Sequence, residues 1–391
     1  MATSGTAAPA RAVDQSGLWG LRGVAAIAVV LAHTVVVVGM TQVEWPAQFA
    51  VAAIAFVHVF LVQSAYLLGR GYLRRQRAAE PAERAGRFLW KRATRILPGY
   101  WLMLAVAIPV MHLALWTNKL DGLAALFLVN VYSVPALLAG PIHVWCLQVE
   151  AGFYLLLPLH DRLSRRLVGK GRFPEQPLMV LLLGYAILGV LFVAVLYTGQ
   201  WKVGYTWPFA YLTTFALGMG LAVVDVCRPP GVPGNRRPRL SAAWCVGIAV
   251  LILALMIATR LPPEAVNITA PIPFWQSLLR RACNDLAAFF LVAAFVFPDG
   301  RRSLVHLVLS SAPAQWLGQR SFHVYLWHIP VLFQLDQRLR GDRAHLPYLE
   351  LVALGIPISI LVAAAAHLLV SFVTERLRGV GPRPAPAVAV S

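Results

Sequence analysis

Two ionisable residues stand inside the first long apolar run, Arg22 and His33. Such groups are costly in a hydrocarbon layer, so each one kept there is a candidate for function. Eleven positions separate them, close to three helical turns, which puts both on one face with a rise of about 16 Å. Singly, Arg22 reads as a positive-inside anchor and His33 as a hydrogen-bonded packing residue; the shared face favours a joint role. A second basic pair, Arg92 and Arg95, is three apart and hence neighbouring on a helix. Guanidinium groups pair bidentately with phosphate oxygens, so this fork suits a phosphorylated ligand, with lipid headgroups as the plainer alternative. Glu150 lies roughly one turn inside another apolar run and needs a partner there. A histidine is a natural one, and a purely structural ion pair is the alternative. His328 closes the stretch Ser321–Phe322–His323–Val324–Tyr325–Leu326–Trp327–His328 at a depth expected to match His33. Arginines at one mouth and a buried histidine beyond them are what transfer from a phosphorylated donor would need.

The elements that must hold these residues are membrane helices. Of 391 residues, 59% are hydrophobic and 13% charged, against about a quarter charged in soluble domains. Apolar runs fall at 20–40, 49–69, 96–115, 122–138, 145–160, 178–197, 207–225, 241–260, 280–297, 314–335 and 349–374. The run 122–138 is short and carries Asn130, Ser133 and Pro135. If it does not cross, the basic segments Arg70–Arg95, Arg162–Arg172 and Arg228–Arg239 all fall on one side, which must be cytoplasmic. The expectation is therefore an all-α polytopic membrane protein of about ten transmembrane helices with both termini cytoplasmic. Residues 1–17 and 376–391 read as disordered cytoplasmic tails flanking one transmembrane domain, 18–375. The run 122–138 then becomes re-entrant or interfacial.

The net charge of +18 sits in short connections between apolar runs, a pattern of topology and anionic lipid contact rather than of nucleic-acid binding. Cys146, Cys227, Cys245 and Cys283 lack ligand-like spacing, so neither a metal site nor a disulfide framework is expected. No small-x-small cleavage pattern follows the first apolar run, which reads as an uncleaved helix.

Four stretches resemble, in order, the acyltransferase-3 family of membrane O-acyltransferases. Gly20–Leu21–Arg22–Gly23 running to His33 looks like that family's R-x10-H element. Arg92–Ala93–Thr94–Arg95 followed by Ile96–Leu97–Pro98–Gly99–Tyr100–Trp101 is similar to its RxxR-I-x-P-x-Y-W stretch. Trp145 to Glu150, leading into Phe153–Tyr154–Leu155–Leu156–Leu157–Pro158, and Ser321 with Tyr325–Leu326–Trp327–His328 match two further elements. Val59 to Tyr66, containing Ser64, resembles another, with Ala65 in place of glycine. Trp19 stands where many members carry Asp, and Cys146 where serine is common.

The resemblance implies transfer of an acyl group, often acetyl, from acyl-CoA to a hydroxyl of a sugar, cell-surface glycan, glycolipid or glycosylated natural product. It implies a multi-pass protein of the plasma membrane, the inner one in a bacterium, with acyl-CoA as donor substrate and no permanently bound cofactor. On it, His33 is general base or transient acyl carrier, with Glu150 orienting or charge-balancing a histidine. Arg22, Arg92 and Arg95 hold the CoA phosphates. Ser64, Trp145, Tyr325 and His328 bind the acceptor or position His33. The rival class is a proton-coupled transporter or flippase, which also uses buried His and Glu residues; the inverted repeats common in transporters are not visible here.

Overall fold

The computed structural model describes residues 13–39, 48–49, 52–113, 118–168, 175–198, 202–230, 232, 237–259, 273–301 and 303–380. Among them there is no strand, and one isolated parallel bridge joins Leu240 to Pro298. The helices are α1 (Gln15–Val37), α2 (Ala55–Arg77), α3 (Ala85–Val110), α4 (Lys119–Leu126), α5 (Val134–Ala139), α6 (Trp145–Val168) and α7 (Glu175–Thr198). They continue as α8 (Leu212–Cys227), α9 (Ala242–Ala258), α10 (Phe274–Val296), α11 (Leu304–Leu309), α12 (Ala312–Leu339) and α13 (Tyr348–Val380). The helical bundle thus begins at Gln15 and runs through Val380, past both expected tail boundaries. The remaining tail residues, 1–12 and 381–391, lie outside the described residues.

Among the described residues, six helices are long and apolar enough to cross a membrane: Gln15–Val37, Ala85–Val110, Ile142–Leu167, Glu175–Leu196, Pro208–Cys227 and Tyr348–Arg376. α9 is apolar but has 17 residues. The other three long helices, α2, α10 and α12, carry ionisable residues along their length, and they turn many of them inward. His58 on α2, Arg280, Arg281 and Asp285 on α10, and His328 on α12 are all buried. The bundle's outside is apolar instead: Val180, Leu183, Leu361 and Leu368 are each at least 60% exposed. Such an exterior suits lipid as solvent.

The run 122–138 is broken into α4, a turn at Asn130–Tyr132, and α5. No piece approaches the roughly 20 residues that a crossing needs. Side chains of α3 hold it from below. The Tyr100 hydroxyl donates to the Ala125 carbonyl at 2.6 Å, and the Trp101 indole N–H to that of Leu126 at 2.9 Å. Tyr100 lies ten residues before the end of α3, so the segment doubles back about 15 Å along that helix.

The three basic connections meet at one end of the bundle. Arg165 donates to the Glu80 carbonyl at 2.8 Å, and Arg77 to that of Val226. Asp225 is shared by Arg70 and Arg237, each at 2.7 Å. Glu83 bridges Arg75 at 3.1 Å and Lys91, tying the α2–α3 connection to the start of α3. Its burial would raise the carboxyl's pKa, but Lys91, Arg75 and Arg87 together hold it below the usual range.

Candidate active site

Glycine brings α1 and α12 into backbone contact. A Cβ at Gly318 would lie 1.8 Å from the Trp19 carbonyl oxygen, and one at Gly20 would lie 1.8 Å from that of Leu309 at the end of α11. Only hydrogen fits at either position, and small residues are how membrane helices achieve such approach. The two helices then run parallel, and side chains meet in step. Arg22 Nε donates to Ser321 Oγ at 3.4 Å. Further along, the His33 ring meets the His328 ring edge-on, with centroids 4.9 Å apart.

His328 also touches His143, centroid to centroid 5.3 Å. His143 sits in the short turn Ile142–Val144 that leads into α6, and it is only 4% exposed. Each imidazole spends one nitrogen on a backbone carbonyl. His33 Nδ1 lies 2.9 Å from Val29 O, His328 Nδ1 2.6 Å from Tyr325 O, and His143 Nε2 3.1 Å from Leu326 O. A carbonyl only accepts, so these nitrogens carry the hydrogen and the opposite ones hold the lone pair in the neutral ring. The Leu326 carbonyl is open to His143 because Pro330, inside α12, has no N–H to return to residue 326. The Tyr325 hydroxyl completes the hold on this turn by donating to the His143 carbonyl.

A second layer surrounds Glu150. Its Oε1 accepts from Ser64 Oγ at 2.5 Å and from the Tyr154 hydroxyl at 2.6 Å. The Arg92 guanidinium lies over the Tyr154 ring at 5.9 Å and the Phe88 ring at 5.6 Å. Arg92 Nε is buried without a hydrogen-bond partner, while Arg95 is exposed on the same helix. Glu150, Arg95, Tyr154 and Cys146 all lie within electrostatic reach of Arg22. Cys146 also lies within electrostatic reach of Tyr325, so it stands between the two layers.

The structure thus brings His33 and His328 together and gathers Arg22, Arg92, Arg95, Ser64 and Glu150 into another group. Glu150, for which a histidine is the expected partner, hydrogen-bonds to two hydroxyls instead. Trp145 packs its ring on Tyr211 at 5.6 Å and contacts neither layer's charged groups among the interactions described.

A protein-family profile described as an acyltransferase domain matches residues 15–374, nearly the whole described bundle. The chain belongs to the acyltransferase-3 family. Among curated proteins it is 24% identical over 331 residues to the peptidoglycan O-acetyltransferase OatA of Listeria monocytogenes, covering 80% of this chain and 48% of that protein. It is 25% identical over 337 residues to the O-acetyltransferase OatA of Staphylococcus aureus, covering 81% of this chain and 50% of the relative. The chain spans about half the length of these relatives. No solved structure is matched.

Two residues of this candidate site were not singled out by the sequence. His143 precedes the Trp145–Glu150 stretch and lies outside every apolar run, so depth gives no reason to single it out. Pro330 is the signal that could have found it: a proline there frees a carbonyl one turn back, and a buried carbonyl needs a donor. Tyr154 is one turn beyond Glu150, where a hydroxyl can reach the carboxylate.

Proposed function

We propose that the chain is a multi-pass O-acyltransferase that moves an acetyl group from cytoplasmic acetyl-CoA to a sugar hydroxyl of the cell envelope. The named activity of its Listeria relative favours peptidoglycan as acceptor. The reading takes the ten helices of sixteen or more residues among those described as spanning a bacterial inner membrane, with the basic connections and both termini in the cytoplasm.

Arg22, Arg92 and Arg95 receive the donor's phosphates, where planar guanidinium groups suit phosphate oxygens. Arg92 is suited by its stacked, incompletely bonded guanidinium. The Val29 carbonyl fixes the His33 tautomer and leaves Nε2 to take a proton from the acceptor hydroxyl. As that O–H bond breaks, the oxygen bonds to the thioester carbonyl carbon. The C–S bond then breaks with its electron pair on sulfur, and the proton ends on the CoA thiol. Holding both substrates in one cleft contributes the proximity term.

One observation carries the reading: α1 places Arg22 among the arginines and, three turns on, His33 against His328. The test is incubation of membranes containing the protein with radiolabelled acetyl-CoA and soluble peptidoglycan fragments. Label bound covalently to the fragments is the expected result. Movement of fragments across the membrane without acetylation would instead make the protein a transporter and overturn the proposal.

A further inference from the structure

A histidine acting as base in a buried site becomes an imidazolium, and something must stabilise that charge. In hydrolase triads a carboxylate does so. Here the carboxylate of the second layer, Glu150, hydrogen-bonds Ser64 and Tyr154. What packs against His33 is His328, fully buried, and behind His328 stands His143. Their bonds to carbonyls leave His328 Nε2 and His143 Nδ1 as lone-pair nitrogens. Both atoms are buried, and neither has a hydrogen-bond partner. A buried nitrogen of this kind ordinarily costs stability, so two side by side call for an explanation. Both rings also lie within electrostatic reach of His33.

We propose that His143 is a positioning residue of the transfer reaction, acting through His328. The two lone-pair nitrogens form a relay of acceptors that shares the proton His33 takes from the acceptor hydroxyl. Hydrogen bonding to a charged form favours that form, so the relay stabilises the imidazolium without a carboxylate. The acyl chemistry is unchanged: the proton resides on the imidazoles between O–H cleavage and its delivery to the CoA thiolate. Pro330 is part of the device. It opens the Leu326 carbonyl, which fixes the His143 tautomer with Nδ1 as the acceptor.

This inference rests on the acetyl-transfer reading, and the experiment separates the two. Full-length protein in lipid nanodiscs is assayed with acetyl-CoA and soluble peptidoglycan fragments as wild type, H143L, H143N and P330A. For H143L we expect kcat to fall about a hundredfold, within the range of a lost acid–base contribution, with the acetyl-CoA KM within about twofold. H143N, whose amide oxygen still accepts, should recover about tenfold of that loss. P330A keeps all three histidines but gives residue 326 its helical donor, and its kcat should fall about tenfold. Nitrogen-15 spectra of histidine-labelled protein should assign His143 as Nε2–H and His33 and His328 as Nδ1–H. P330A should lose the single His143 tautomer.

An H143L kcat within threefold of wild type, or H143N no better than H143L with wild-type tautomers at His328, overturns the role of His143. If H143L does not fold, P330A decides: unchanged kcat with a released His143 overturns the inference. Wild-type protein that acetylates no fragment overturns the proposed function itself, and this inference with it.

Discussion

His33 and His328 meet edge to face with ring centroids 4.9 Å apart, and it is glycine that brings them there. Gly318 lets the backbones of α1 and α12 touch, Gly20 does the same for α1 and the end of α11, and the histidines lie farther along the α1–α12 seam. Gly318→Leu should therefore damage both fold and site. Overpacking of this kind costs about 1–3 kcal/mol, so the unfolding temperature in detergent should drop. Acetyl transfer per folded molecule should drop as well. An unchanged unfolding temperature would contradict the close approach.

Arg92 stacks on Phe88 and Tyr154 and keeps a buried Nε without a partner. If it holds donor phosphate, Arg92→Lys should raise the acetyl-CoA KM about tenfold and Arg92→Ala about a hundredfold, with kcat within a few-fold. Steady-state kinetics at varied acetyl-CoA check this. A fall in kcat at constant KM would place Arg92 elsewhere in the reaction.

The Glu150 carboxylate accepts two hydroxyls on one oxygen. Hydrogen bonds to a charged group contribute about 1.5–3 kcal/mol, so Ser64→Ala and Tyr154→Phe should each lower stability measurably. Because they share Oε1, the double variant should depart from the sum of the two, as coupled sites do. Chemical unfolding of the four proteins in the cycle measures the coupling. Strict additivity would mean that the shared oxygen is not the common partner.

The broken segment of α4 and α5 hangs on Tyr100 and Trp101. Replacing either with Phe removes one hydrogen bond of about 1 kcal/mol, and amide exchange across 119–139 should quicken about fivefold. Exchange that stays at the wild-type rate would show that other contacts hold the segment.

Much of this arrangement was legible in the sequence because helix periodicity and membrane cost are local rules. They set Arg22 and His33 on one face and put His328 level with His33, while the basic loops favoured a reading in which 122–138 does not cross. Glu150 was harder. Counting residues inward along separate helices ignores which neighbour supplies the nearest donor, and Ser64 on α2 and Tyr154 one turn away supply it here. His143 was illegible for a different reason: its burial depends on a carbonyl that Pro330 opens on another helix. Apolar runs located α2, α10 and α12 but not the partners of the ionisable residues they carry. Their ionisable residues are buried among other helices, as His58 is when it pairs with Asp285 at 2.7 Å beside Thr214.

The central claim is that His33 takes the acceptor's proton. Its most direct test is His33→Ala, purified in nanodiscs and assayed for transfer of label from acetyl-CoA to soluble peptidoglycan fragments. A loss of about a hundredfold or more in kcat, with unfolding temperature and acetyl-CoA binding retained, is the expected result. Full transfer by the inserted, folded variant would contradict the account.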